Sequence, residues 1–284
     1  MSAVQPWPDF RSLLRKHAVR PNKRLGQHFL FDPAALDRVI DAAGLTGDET
    51  VLEIGAGVGS LTWCLAHRAG RVVAVEIDRR LIAALNEVVA SLPQVQVVQG
   101  DILTLDLASL VGETPYRVVA NIPYTITSQL IRKLLEDRAP AARLVLTLQR
   151  EVAERIVAEA GEMSLLALSV QLYGVPAIVG SIPAGAFYPP PKVDSSILRV
   201  DLHESPPVPR ELVPAVFRLA RAGFGQKRKK LRNALAAGMG TSPAEADELL
   251  ERAGISPERR AQELTLEGWG RLARAAGGRV PDLK

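Results

Sequence analysis

The sequence is poor in the features that build disulfides, zinc sites and membrane spans. It has one cysteine, Cys64, and four histidines at scattered positions. One thiol cannot form an intramolecular disulfide, and so few ligands give no support to a metal site or a nucleophilic triad. The longest apolar runs, such as residues 165–170, are far shorter than the ~20 residues of a transmembrane helix. The amino terminus also lacks a basic start followed by an apolar stretch. We therefore expect a cytoplasmic protein with Cys64 in its core.

Composition and charge indicate an ordinary globular protein with two unusual basic stretches. Hydrophobic residues make up 47% and charged residues 23% of 284 positions, and we expect one large unit and one small one. The net charge of +4 is unevenly distributed, because residues 11–24 and 218–232 contain many basic residues and no acidic ones. Both stretches are candidate polyanion contacts, although solvated helix faces have the same composition.

Short apolar runs alternate with helical stretches from residue 51 onward, which is typical of a parallel sheet with crossover helices. The predicted strands are Val51–Gly55, Arg71–Ile77, Val95–Gln99, Arg117–Ala120, Leu144–Leu148, Leu172–Val179 and Val193–Asp201. The helices predicted between them are Gly59–Arg68, Arg79–Ala90, Ser128–Glu136 and Glu151–Glu159. Residues 205–209 are rich in proline and predict a linker, followed by helices at Arg210–Ala222, Lys227–Ala237, Pro243–Ala253 and Leu266–Ala275.

A glycine-rich loop follows the first predicted strand. Glu53–Gly59 has the spacing Gly-x-Gly-x-Gly, which favours S-adenosylmethionine over a dinucleotide, and Gly55 and Gly57 let the main chain approach this cofactor. Glu76 ends the next strand about 20 residues later, where a carboxylate can accept both ribose hydroxyls. Asp101 follows the third strand and is placed to accept from the adenine amine. An acidic residue that ends a strand is, taken alone, more often a turn or helix cap.

The chemistry is predicted at Asn121-Ile122-Pro123-Tyr124, which ends the fourth strand. This motif resembles the Asp/Asn-Pro-Pro-Tyr methyltransferases that act on amines conjugated to a ring. The lone pair of such an amine is delocalised, and the Asn121 side-chain oxygen and the Ile122 carbonyl can accept its two hydrogens and direct the lone pair at the methyl group. Pro123 holds the backbone, and Tyr124 offers a face for stacking of an extruded base. In isolation the motif is also compatible with a strand-ending turn.

A second unusual stretch, Phe187–Ser195, contains three consecutive prolines. Phe187 is predicted to close the other face of the base pocket, with the prolines stiffening the loop. The alternative is a plain polyproline connection.

Eight motifs together resemble one family along nearly the whole chain. They are Lys23–Leu30, Glu53–Gly59, Glu76–Asp78, Gly100–Asp101, Asn121–Tyr124, Gln149–Val152, Phe187–Ser195 and Phe224–Asn233. In these motifs the chain resembles the KsgA family of 16S ribosomal RNA dimethyladenosine transferases, and it is similar to the Erm methylases and the mitochondrial transcription-factor-B proteins. The resemblance implies an α/β, Rossmann-like class I methyltransferase fold with a seven-stranded, mostly parallel sheet and a small C-terminal all-α domain.

The resemblance also implies roles for individual residues. Base contacts are implied for Tyr124 and Phe187, and cofactor contacts for His28, Leu30, Gly55, Glu76, Asp101 and Asn121. His28 departs from the family pattern, because many members have Asn at this position. The predicted RNA contacts lie in the last motif, which resembles KsgA more than Erm: Lys227, Arg228, Lys229, Lys230 and Arg232.

The implied reaction transfers four methyl groups to two adjacent adenines near the 3′ end of 16S RNA in the assembling small subunit. We expect a monomer that uses S-adenosylmethionine and requires neither a metal nor a membrane. The predicted divisions are a basic N-terminal arm (1–22), a methyltransferase domain (23–204) and a helical RNA-binding domain (205–284). Two alternatives remain: Erm-type methylation of one large-subunit adenine, and a binding factor for assembly or transcription in which catalysis is secondary.

Overall fold

The computed structural model describes residues 7–112, 115–123, 126–139 and 141–277. The chain divides into two units. The first contains the residues up to Ala153 together with Ala177–Leu202, and the second contains Glu154–Pro176 together with the residues from His203 onward. The sequence placed residues 154–176 with the sheet, whereas the structure places them with the helical unit.

The first unit is built on a large sheet. The strands in the described part of the chain are β1 (Phe29–Leu30), β2 (Thr50–Ile54), β3 (Arg71–Glu76), β4 (Val95–Gln99), β5 (Tyr116–Asn121), β6 (Arg143–Gln149), β7 (Gly174–Ile182), β8 (Phe187–Tyr188) and β9 (Ser195–Leu202). One sheet contains seven of them in the order β4-β3-β2-β5-β6-β9-β7. The strands from β4 to β6 in this order pair in parallel, and β9 is antiparallel to β6. This confirms the predicted seven-stranded, mostly parallel sheet.

Helices account for about half of the remaining described residues. They are α1 (Phe10–Lys16), α2 (Pro33–Ala43), α3 (Ser60–Ala66), α4 (Ile82–Val89), α5 (Leu107–Val111), α6 (Thr127–Glu136), α7 (Arg150–Val157), α8 (Leu165–Gln171), α9 (Val213–Gly225), α10 (Leu231–Met239), α11 (Pro243–Arg252) and α12 (Leu266–Ala275). The sheet carries helices on its faces. Strand β3 is therefore buried at every position from Val72 to Val75, and this stretch is continuously apolar. Among the described residues, no helix is long and apolar enough to cross a membrane.

The described part of the predicted N-terminal arm is packed against the first unit. Helix α1 buries Phe10 and Leu14 in the core of this unit, one helical turn apart, and Val19 follows them. The Asp9 carboxylate accepts a hydrogen bond from the backbone nitrogen of Ser12 at 3.0 Å and caps the helix. The expectation of an arm is therefore corrected for residues 7–22, because Phe10, Leu14 and Val19 pack into the core while the basic side chains of Arg11, Arg15 and Arg20 stay exposed.

The second unit has a core of its own. Trp269 on α12, Leu219 on α9 and Leu168 on α8 belong to one buried cluster, which explains why residues 154–176 join this unit. The helix predicted at Lys227–Ala237 begins instead at Leu231. The preceding residues form a turn, closed by a hydrogen bond from the backbone nitrogen of Lys229 to the carbonyl of Gln226 at 2.9 Å.

Candidate active site

The glycine loop after β2 has a backbone conformation that other residues rarely adopt. Gly55, Gly57 and Gly59 have φ angles of +76°, +62° and +94°. The backbone nitrogen of Gly55 donates to the Val75 carbonyl at 2.9 Å and holds the loop against β3. A Cβ atom on Gly57 would lie 3.1 Å from the ring of Phe29. The loop therefore presents main chain rather than side chains at the carboxyl end of the sheet.

Glu76 joins this loop to the end of β3. Its side chain is buried, and its two carboxyl oxygens accept hydrogen bonds from the backbone nitrogens of Gly57 and Asp78, both at 2.7 Å. Burial raises the pKa of Glu76, and the two backbone donors oppose that rise. A carboxylate oxygen has two lone pairs, so each oxygen can accept a further hydrogen bond from a ligand. Glu76 thus holds the glycine loop and can also bind a ligand.

Asn121 is held in one orientation at the end of β5. Its amide nitrogen donates to the carbonyl of His28 at 2.8 Å, so the side-chain oxygen is the end directed elsewhere as an acceptor. The Nδ1 atom of His28 lies 2.7 Å from the carbonyl of Pro189. A carbonyl can only accept, and therefore Nδ1 carries the hydrogen in this contact. The contact also ties the segment around His28 to the loop that follows β8.

A crevice at the carboxyl end of the sheet brings most of the predicted site residues together. Those lining it are His28, Gly55, Gly57, Glu76, Asn121, Ile122 and Pro123. The sequence reasoning assigned no role to its other lining residues, Leu25, Gly26, Gln27, Phe29 and Ile77. Ile77 is apolar yet 49% exposed, and Gln27 donates to the Asp78 carboxylate at 2.8 Å. Both belong to motifs that carried the family resemblance, and that resemblance is the sequence signal by which they could have been identified.

The remaining predicted residues are not among those lining the crevice. Leu30 is buried, and its carbonyl accepts from the Ser60 hydroxyl at 2.7 Å. Phe187 is 3% exposed and pairs in register with Leu30 between β1 and β8. Asp101 accepts from the backbone nitrogen of Leu103 at 2.9 Å, as a turn cap does. Tyr124 lies outside the described residues. The roles predicted for these four residues stay predictions.

A second buried carboxyl group lies under the glycine loop. Glu53 is 1% exposed, and neither of its oxygens makes a hydrogen bond of acceptable geometry with the described residues. It lines a small cavity that Gly55, Gly57 and Asn121 also line. Burial raises the pKa of Glu53 to about 8, against a smaller opposing effect of Thr62. The site therefore contains acidic groups whose bonding capacity is not filled by the described protein.

The basic residues predicted to contact RNA divide into two groups in the second unit. Lys230 forms an ion pair with Glu258, and Arg232 forms one with Asp247 at 3.3 Å. Lys227, Arg228 and Lys229 lie on the turn before α10, are exposed, and form no ion pair with the described residues. These three side chains are therefore available to an anionic partner.

Two other features bear on the kind of chemistry. The part of the chain that the structure describes contains no group of three or more His, Cys, Asp or Glu residues able to hold a metal ion. Cys64 is buried, and burial raises the pKa of its thiol to about 12, so the thiol stays protonated at neutral pH. The described crevice presents hydrogen-bond acceptors, namely the Glu76 carboxylate and the side-chain oxygen of Asn121.

Comparison with known proteins places the chain among RNA-modifying enzymes. The family described as Ribosomal RNA adenine dimethylase matches residues 18–276. The Ribosomal RNA small subunit methyltransferase A of Dehalococcoides mccartyi is 44% identical over 263 residues, which cover 92% of this chain and 90% of the relative. The protein of the same name from Pelotomaculum thermopropionicum is 40% identical, with 93% and 94% covered.

Solved structures agree with these sequence relatives. A dimethyladenosine transferase from Plasmodium falciparum has a TM-score of 0.77 at 28% identity, covering 88% of this chain and 98% of that one. The 23S rRNA methyltransferase ErmE has a TM-score of 0.70 at 28% identity, with 87% and 98% covered. The family match spans both units of the fold and every described residue of the crevice. The chain therefore belongs to the ribosomal RNA adenine dimethylase family.

Proposed function

We propose that this protein transfers methyl groups from S-adenosylmethionine to the N6 amines of two adjacent adenines near the 3′ end of 16S RNA, giving dimethyladenosines. The observation that carries the proposal is the fixed amide of Asn121, whose nitrogen is committed to the His28 carbonyl in a crevice shared with Glu76 and the glycine loop. The names of the relatives support the small-subunit substrate. The reaction belongs to subunit assembly in the cytoplasm, and a monomer suffices for it.

The residues of the crevice fit S-adenosylmethionine. The cofactor carries a sulfonium and an ammonium group, and the Glu76 carboxylate that lines the crevice favours a cation. Glu76 has lone pairs left for the ribose hydroxyls, and the exposed side chain of Ile77 offers apolar contact to an adenine ring. The glycines allow close approach of the main chain. When bound, the cofactor supplies an electrophilic methyl group, and Leu30 and Asp101 are further predicted contacts.

Asn121 and Ile122 act on the adenine amine. The Asn121 side-chain oxygen and the Ile122 carbonyl accept the two amine hydrogens, which frees the nitrogen lone pair from the ring. The freed lone pair could then accept the methyl group that the bound cofactor would supply, with the excess proton leaving to water. Acceptors fixed before the reaction are effective because they need no reorganisation. Pro123 restricts the backbone, and Tyr124 and Phe187 are proposed to hold the base between their rings.

Selection of the adenines comes from outside the crevice. Any adenine can donate to the amine acceptors of the crevice and stack on an aromatic ring. These contacts therefore do not distinguish one adenine of ribosomal RNA from another. Lys227, Arg228 and Lys229 are exposed cations that can contact phosphates. Such contacts read the shape of folded RNA rather than its sequence. The preferred substrate is therefore a partly assembled small subunit rather than deproteinised RNA.

Methyl incorporation from labelled cofactor tests this function on three substrates: immature small subunits, naked 16S RNA and naked 23S RNA. We expect efficient dimethylation of adjacent adenines in the immature subunits and poor activity on both naked RNAs. The protein with Asn121→Ala serves as the inactive control. Strong methylation of one adenine in naked 23S RNA contradicts the proposal and favours an Erm-type activity, and RNA binding without any methyl transfer favours a binding factor.

A further inference from the structure

A column of aromatic rings runs from the core of the first unit to its surface. Phe10 on α1 stacks on Phe31, with ring centroids 5.7 Å apart and planes 11° apart. Phe31 in turn stacks on Tyr188 of β8, at 6.3 Å and 21°. Phe10 is 2% exposed, whereas Tyr188 is 40% exposed. The inner end of the column is explained by the core, but core packing does not explain an aromatic ring presented to solvent at the outer end.

A cation accompanies the exposed ring. The guanidinium carbon of Arg11 lies 5.3 Å from the centroid of the Tyr188 ring. Arg11 is exposed, and it follows Phe10 on α1, so packing of Phe10 in the column fixes Arg11 beside Tyr188. Neighbouring aromatic and guanidinium groups are the pair with which proteins stack unpaired bases and contact their phosphates.

The pair is close to the crevice in the chain and in space. Tyr188 precedes Pro189, whose carbonyl is bonded to the ring of His28 at 2.7 Å. The backbone carbonyl of His28 accepts the amide of Asn121 at 2.8 Å. Two short contacts thus connect the Tyr188 strand to the residue that acts on the adenine amine. A nucleotide next to the reacting adenine is within reach of Tyr188, whereas the reacting base itself belongs at Asn121.

We propose that Tyr188 and Arg11 form a second nucleotide-binding site, which takes one unpaired nucleotide adjacent to the reacting adenine. The base stacks on the Tyr188 ring in place of the Arg11 guanidinium that lies over it, and the displaced guanidinium contacts the phosphate. This inference rests on the proposed function. A strand whose adenines are methylated must be single-stranded around the reacting base, and the adjacent base, once it loses its own stacking partner, gains one here.

The test uses short single-stranded RNAs with two adjacent adenines and the fluorescent base 2-aminopurine on the 5′ or the 3′ flank. Stacking on a ring quenches this base, so we expect quenching at one flank with the wild-type protein and with Tyr188→Phe. Tyr188→Leu keeps an apolar group on Phe31 and should abolish the quenching and raise Kd by about 5- to 150-fold. Arg11→Gln should raise Kd and reduce the salt dependence of binding. The matched controls, Val179→Ala and Arg68→Gln, change an exposed apolar and an exposed basic residue elsewhere in the unit.

Quenching that persists in Tyr188→Leu overturns the inference, and so does its absence at both flanks with the wild-type protein. Methyl transfer to small subunits is measured in parallel. Transfer by the wild-type protein without Tyr188-dependent quenching overturns the second nucleotide site alone. No transfer to any RNA by the wild-type protein contradicts the proposed function itself.

Discussion

Replacing Glu76 with Gln separates the two roles that its carboxylate can have. In the wild-type protein both oxygens accept backbone hydrogen bonds at 2.7 Å, from Gly57 and from Asp78. A glutamine side chain at this position would keep one acceptor oxygen and turn an amide NH2 group toward the other backbone donor. One buried hydrogen bond to a charged group is then lost, which costs ~1.5–3 kcal/mol. We expect the free energy of unfolding without cofactor to fall by about this amount.

The same substitution should weaken S-adenosylmethionine binding further than loop destabilisation explains. A ribose hydroxyl that donates to Glu76 would face an NH2 group or an amide oxygen already in use, and one such loss is worth ~1.5–3 kcal/mol, or roughly 10- to 150-fold in Kd. Calorimetric titration measures the affinity, and chemical denaturation measures the stability. Glu87→Gln is the control, because this carboxylate is partly exposed and pairs with Lys16 and His17. Reduced stability with unchanged cofactor affinity would show that Glu76 only holds the glycine loop.

Three further predictions concern the amine, the RNA and pH. Asn121→Ala should lower the single-turnover rate ~100- to 1000-fold with little change in cofactor affinity, and a parallel loss of affinity and rate would mean that Asn121 only holds the cofactor. Replacing Lys227, Arg228 and Lys229 with Gln should reduce the slope of log Kd against log salt concentration for RNA binding by roughly 0.7–0.9 for each phosphate that is no longer neutralised. The control Arg252→Gln in the same unit should leave this slope unchanged. An unaltered slope in the triple variant would mean that the three residues are solvated and do not contact RNA. The pKa of Glu53 rises from 4.5 in the unfolded chain to about 8 in the folded protein. Between these two pH values the folded protein holds a proton that the unfolded chain releases. The free energy of unfolding therefore falls as pH rises from 4.5 to 8, by at most ~5 kcal/mol. Glu53→Gln should remove this fall, and denaturation curves that keep it would assign it to another group.

The sheet and the glycine loop were predictable because their signals are local. The five parallel strands are short runs rich in apolar residues, and each predicted strand among them lies within one residue of the observed bounds at both ends. The spacing of Gly55, Gly57 and Gly59 requires left-handed backbone, and all three have positive φ angles. The positions of Glu76 and Asn121 could be predicted together with these strands, because parallel strands end at the same edge of the sheet.

Other features depend on contacts between distant parts of the chain. The pairing of β1 with β8 joins residues more than a hundred positions apart, and no local pattern marks a strand of two residues. The burial of Phe187 follows from this long-range pairing, whereas the sequence offered only its aromatic type as a reason to place it in the base pocket. Its role there stays a prediction. Residues 227–230 have good helix propensity, but they form a turn in which Lys229 is bonded to Gln226. The basic character of α1 concealed that Phe10 and Leu14 pack into the core of the first unit.

Mapping of methylated adenines in ribosomal RNA tests the proposed reaction most directly. RNA from cells with and without this gene is digested and analysed by mass spectrometry, with the wild-type gene or Asn121→Ala restored to the deleted cells. We expect two adjacent dimethyladenosines near the 3′ end of 16S RNA in cells with the gene, their loss on deletion, and their return with the wild-type gene alone. Unchanged 16S RNA after deletion, or loss of one methylated adenine from 23S RNA instead, would contradict the proposed function.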